Sequence, residues 1–196
     1  QRYHFLAGWL PWSADGVNML FNILAIGWSV GMVLFPEHVA PPHIILACLP
    51  VSLFFFKSAK MIFLYRNRVI ASWRQSLMAG LAGLALSHTI ARAMLTGFIT
   101  RGIGFFRTPK KAQANAVFKA LADAREELLF AIALVLAIFA LMQRFDADML
   151  DVRVWAGMLA VQAIPYLAAV VVSLISGMPR LPAKLVGVMP PLQGLK

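Results

Sequence analysis

Val154 to Ser176 reads VWAGMLAVQAIPYLAAVVVSLIS, a run without a single Asp, Glu, Lys or Arg. About 20 apolar residues in helical conformation cross the hydrocarbon core of a bilayer, where every backbone polar group must be satisfied within its own segment. The run is therefore read as a spanning helix. Before it, Leu128 to Met142 repeats the pattern, and Val17 to Phe35 and His43 to Tyr65 supply two more spans near the start of the chain. The whole composition agrees: the 196 residues are 61% hydrophobic and 13% charged, with a mean hydropathy of +0.77. A soluble domain needs a charged surface, so that class is excluded. The expected fold is an all-α membrane protein of about four transmembrane helices with added interface helices.

The segments between the spans set the organisation. Gln1 to Trp12 mixes Tyr3, Phe5, Trp9 and Trp12 with Arg2 and His4, the composition of a helix lying in the membrane interface, and Ser13-Ala14-Asp15-Gly16 reads as a turn after it. Ser72 to Thr100 is apolar enough to span but is interrupted by Gly80, Gly83, Ser87, His88, Thr89 and Arg92. If it lies in the interface, the basic stretches Arg66 to Arg74 and Arg101 to Arg125 share one side. Pro36 to Pro42 and Arg144 to Arg153, the latter offset by Asp146, Asp148 and Asp151, share the other. The tendency of Lys and Arg to collect on the cytoplasmic side favours that arrangement, with both ends cytoplasmic. Residues 1–16 are then an interface helix and turn, 17–176 a transmembrane region containing an interface helix at 72–100 and a loop at 101–111, and 177–196 a proline-containing cytoplasmic tail.

That loop, Gly102-Ile103-Gly104-Phe105-Phe106-Arg107-Thr108-Pro109-Lys110-Lys111, has glycines that loosen the backbone, a proline that stops a helix, and cations beside the Thr108 hydroxyl. Such a loop can hold a phosphate; the plainer reading is a set of cations flanking a membrane segment. The order Phe105-Phe106-Arg107-Thr108-Pro109-Lys110 resembles the F-x-V-T-x-K gating loop of bacterial cellulose synthase and related processive, inverting glycosyltransferases, with Arg107 where that pattern has Val. A second likeness is at Gln1-Arg2-Tyr3-His4-Phe5, set against the Q-x-x-R-W motif of the same enzymes, with His4 for Arg and Phe5 for Trp. The resemblance implies that Phe105, Thr108 and Lys110 contact the donor diphosphate and that Gln1, His4 and Phe5 lie near the acceptor end of the glycan.

It further implies a chain that is the C-terminal transmembrane part of a larger hexosyltransferase of the bacterial inner membrane. A catalytic domain upstream would use a nucleotide-diphosphate sugar and Mg2+ or Mn2+, and a glycan, by family habit a β-glucan, would pass outward past rings such as Trp9, Trp12 and Trp28. The chain begins at Gln1, and its first residues do not follow the pattern of a basic region, an apolar run and a small-residue cleavage site, so it is read as a piece of something longer.

Several features are expected to be structural. The net charge of +10 suggests nucleic acid, but the cations sit between apolar runs and form no separate tail, so no nucleic-acid partner is expected. Cys48, the single cysteine, cannot form an internal disulfide and is read as a small core residue. Lys57 and Lys60 are read as reaching back to the membrane surface. Asp123, Glu126 and Glu127, beside Lys119 and Arg125, are read as a solvated helix face. His88 and Arg92 share a helix face, either as packing or as a functional pair, and Asn18 and Asn22 fall one turn apart, facing other helices or a polar path. The only D-x-D, Asp146-Ala147-Asp148, is assigned to the outer face, so the chain has neither the catalytic carboxylates nor a metal site of its own. A different class of function, a small transporter or channel subunit, would have Asn18, Asn22, His88 and Arg92 line a pore. A purely structural anchor would tolerate change at all of them.

Overall fold

Among the described residues, five stretches are long and apolar enough to cross a bilayer: Ser13–Leu34, Ile44–Asn67, Trp73–Ile99, Arg125–Arg144 and Leu150–Gly177. The computed structural model describes the backbone of residues 2–69, 71–100, 116–146 and 148–177, and the side chains of 13–69, 71–100, 118–146 and 148–177. Every regular element among them is an α-helix. These are α1 (Arg2–Leu34), α2 (Ile44–Asn67), α3 (Trp73–Ala85), α4 (Ser87–Ile99), α5 (Ala116–Asp123), α6 (Arg125–Arg144) and α7 (Leu150–Gly177). The protein is an all-α membrane protein.

The axis is α7, which packs against α2, α3, α5 and α6. Its buried side carries Val152, Trp155, Met158, Leu159, Ala163 and Tyr166, joined by Ala25 and Met32 from α1, Ala47 from α2, and Ala131, Leu134 and Leu141 from α6. Lipid is as apolar as leucine, so burial in a bilayer does not drive helices together; close approach does, and the alanines at these contacts permit it. The outward faces are correspondingly greasy. Ile45, Leu49, Leu53, Phe56 and Phe63 of α2 are all exposed, a surface that suits acyl chains and not water.

The ends of the helices follow local rules. Ser72 opens α3 with a capping box: its hydroxyl accepts from the Gln75 N–H at 3.3 Å, and the Gln75 side chain accepts from the Ser72 N–H at 2.9 Å. Glu126 and Glu127 occupy the first turn of α6 and Arg144 its last, each charge matching the helix dipole.

The contacts of α3 and α4 locate this bent pair. Gly83 of α3 is close enough to α2 that a Cβ there would lie 2.7 Å from Cε of Met61. Ala85 packs with Ala168 and Ala169 of α7, and Ser87, at the start of α4, accepts from Lys57 of α2. Further along α4, Thr89 reaches Glu127, and Met94 and Leu95 lie beside Gly16 of α1. All these partners belong to the first turns of α6 and of the Ser13–Leu34 stretch, and to the later halves of α2 and α7. These four helices alternate in direction, so their contacting parts form one end of the bundle, which also carries Arg66, Arg68, Arg74, Lys119 and Arg125. This basic end holds both α3 and α4.

Three expectations need correction. The turn at Ser13-Ala14-Asp15-Gly16 does not form, because α1 runs through it. Asp15 is used by Lys57 and Gly16 by the packing of Met94, so tertiary contacts outweigh local turn preference. Cys48 is exposed on the outer side of α2 and is no core residue. The acidic face is not all solvated either: Glu127 is only 7% exposed, because α6 turns its first residues under α4.

Candidate functional site

Polar side chains inside an apolar bundle are costly unless paired, so the places where they gather mark either joints or sites. Three such groups stand out, two toward the basic end and a third that runs along α1 and α7 toward the opposite end. In the first, the Lys57 ammonium donates to the Asp15 carboxylate of α1 and, at 3.0 Å, to the Ser87 hydroxyl that begins α4. The lysine ties three helices together, where the sequence suggested only a side chain reaching for the surface.

In the second, the Glu126 carboxylate is shared. Arg92 Nη1 donates to its Oε1 at 2.7 Å, and Nε2 of His88 lies 3.4 Å from its Oε2. His88 and Arg92 are thus brought together, on one carboxylate that spacing along the chain could not supply. His88 is buried, its ring centroid 5.2 Å from Phe130 and 5.6 Å from Tyr166, whose rings are stacked at 4.9 Å. Its Nδ1 has no hydrogen-bond partner. Next to Glu126 in the chain, Glu127 takes a long hydrogen bond from Thr89 at 3.5 Å.

The third group pins α1 to α7. Asn22 donates to the Tyr166 hydroxyl at 3.0 Å and Gln162 donates to Asn18 at 2.7 Å. Deeper, Trp155 donates to the Ser29 hydroxyl at 3.0 Å, and that hydroxyl donates in turn to the Ala25 carbonyl at 2.7 Å. Asn18 and Asn22 therefore face another helix, one of the two alternatives open from the sequence. Neither Tyr166 nor Gln162 stands out in the sequence, since each is one polar residue in a long apolar run.

Beside Glu127 is an open cleft of about 360 Å³ between α3, α5, α6 and α7. Small residues such as Ala82, Ala85 and Ala169 line it, together with Thr89, Asp123, Glu127 and Ser173. The Ser173 hydroxyl is occupied, donating to the Ala120 carbonyl of α5 at 2.8 Å.

The residues expected from sequence to touch donor or acceptor lie elsewhere. Gln1, Phe105, Thr108 and Lys110 are outside the described residues, and His4 and Phe5 belong to α1 with side chains that are not described. The loop 101–111 and the tail beyond Gly177 are likewise outside them. Trp28 is described: it is half exposed and its indole donates to the Ala40 carbonyl at 3.2 Å, which fastens the turn after α1. Asp146 and Asp148 follow α6 at the end opposite the basic one, far along the helix from Glu126. Among the described residues no group of three His, Cys, Asp or Glu side chains is placed to hold a metal ion. What the polar groups can do is fix α4 against α1, α2 and α6. No protein-family model, curated protein or solved structure matches the chain.

Proposed function

We propose that this chain is the transmembrane channel portion of a processive, inverting glycosyltransferase, a hexosyltransferase that polymerises sugar from a nucleotide-diphosphate donor and moves the polymer across the membrane. The product class is a β-glucan and the site the bacterial inner membrane, with the basic end and both chain ends cytoplasmic. Catalysis and the divalent metal belong to an upstream catalytic domain on that side. Phe105, Thr108 and Lys110 meet the donor diphosphate, and Gln1, His4 and Phe5 the acceptor.

One observation carries the reading: α3 and α4 both pack at the basic end. The end of α4 and the start of α5 therefore lie at the end where a cytoplasmic domain would be. That is the side a donor-binding loop must face, and the excess of Lys and Arg there agrees with a cytoplasmic location. Arg144 and Arg153 near the opposite end are outweighed by Glu37, Asp146, Asp148 and Asp151. A transporter or channel subunit is favoured less, because Asn18, Asn22 and Arg92 each have a partner on a neighbouring helix.

The test uses the complete enzyme in membranes supplied with a panel of sugar nucleotides. A charge-assisted hydrogen bond to a phosphate contributes about 1.5–3 kcal/mol, so Lys110→Ala should cut polymer synthesis by roughly tenfold to a hundredfold. Thr108→Ala should also reduce synthesis, and both variants should insert as the parent does. Undiminished synthesis by both removes the gating-loop assignment.

A further inference from the structure

The cleft between α3, α5, α6 and α7 is large enough for part of a ligand, and one of its walls carries a carboxylate, Glu127, that is paired with no cation among the described residues. We infer that it binds the ethanolamine headgroup and upper acyl chain of a phospholipid. Glu127 is only 7% exposed, lines the cleft, and among the described residues has one weak partner, the Thr89 hydroxyl at 3.5 Å. The nearby cation, Arg92, is taken by Glu126 at 2.7 Å. The first turn of α6 favours negative charge at Glu127 but supplies no opposite ion. A buried carboxylate in that position calls for a cation, and Asp123 adds a second carboxylate to the cleft lining.

The lining selects which cation. A primary ammonium offers three N–H donors to carboxylates, whereas a quaternary ammonium offers none and is held by aromatic faces. Among the described residues no aromatic side chain lines this cleft. Choline is thereby disfavoured, and a serine headgroup brings its own carboxylate against Asp123 and Glu127. The rest of the wall is apolar and small, Ala82, Ala85, Ala169 and Val172, with Leu86 exposed beside it, which suits an acyl chain and not a free amine. Depth agrees. Ala169 precedes the end of α7 at Gly177 by about 12 Å at 1.5 Å per residue, the level of the headgroups and upper chains of one leaflet.

The intact membrane protein, placed in nanodiscs with equal amounts of dioleoyl phosphatidylethanolamine and dioleoyl phosphatidylcholine, would be released for native mass spectrometry and its retained lipids counted. The parent should keep the ethanolamine lipid about tenfold over the choline lipid, the ratio expected from a charge-assisted hydrogen bond. Glu127→Gln should bring that ratio close to one. Ala169→Trp, which fills the apolar wall, should lower retention of the ethanolamine lipid with the carboxylate untouched. Equal retention of the two lipids by the parent, or an undiminished preference in Glu127→Gln, overturns the inference. Displacement of the lipid by glycerophosphoethanolamine at equal concentration also overturns it, in favour of a soluble amine.

Discussion

The hydroxyl of Tyr166 is worth more to the bundle than its size suggests, because Asn22 on the neighbouring helix is fully buried and has no other donor contact. Removing one partner of such a bond leaves the other desolvated, whereas removing both can be nearly neutral. Interhelical hydrogen bonds in membranes average about 0.6 kcal/mol, with a maximum near 1.7. Tyr166→Phe is therefore expected to cost about 1 kcal/mol in detergent unfolding, and adding Asn22→Leu to recover most of it; a double variant that is worse than either single one would show that the pair is not the unit. Glu126 makes a sharper case. Its carboxylate serves Arg92, whose side chain is 61% exposed, and His88, whose side chain is 4% exposed. The exposed arm is worth less than about 1 kcal/mol, but losing the acid also strands a buried imidazole. Glu126→Ala should thus lower the unfolding midpoint more than Arg92→Ala does, and equal losses would mean that His88 draws nothing from the contact.

At the scale of elements, the joint between α2 and α3 is set by the absence of a side chain. A Cβ at Gly83 would meet Cε of Met61 at 2.7 Å and Sδ at 2.8 Å, and both atoms are the far end of a flexible side chain. Gly83→Leu should destabilise by about 1–3 kcal/mol through overpacking, and Met61→Ala in the same chain should restore most of the loss. No rescue would place the strain on backbone and not on Met61. This joint also shows what could be read beforehand. The helices were legible because apolar runs of this length leave few alternatives; α2, α6 and α7 lie within a few residues of the runs that announced them. The pairing of helices was not. Lys57 with Asp15, Glu126 with Arg92 and Gln162 with Asn18 are contacts between distant parts of the chain, and no local pattern encodes them. The residues Ser13 to Gly16 misled for a related reason: their turn preference is small, and a lysine from another helix decides what Asp15 does.

For the whole molecule, the decisive quantity is the number of crossings. By length and composition Trp73–Ile99 is a fifth candidate span, yet its contacts hold it at the basic end. The two possibilities separate cleanly by sidedness. If the α3–α4 pair enters and leaves at one face, Arg68 after α2 and Arg125 at the start of α6 lie on the same side of the membrane; if it crosses, they lie on opposite sides. Both residues are exposed, as are Glu37 and Asp148 at the other end. Cys48 is the single cysteine, so Cys48→Ser gives a background on which one new cysteine at a time reports its position. With a membrane-impermeant maleimide applied to whole cells, Glu37→Cys and Asp148→Cys should react at once, and Arg68→Cys and Arg125→Cys only after permeabilisation. Reaction of Arg68→Cys without Arg125→Cys, or the reverse, would make 73–99 a crossing helix and would place the segment after it on the face opposite Arg68. In that event the donor loop could not share a compartment with the basic end of α2, and the glycosyltransferase reading would lose the observation on which it stands.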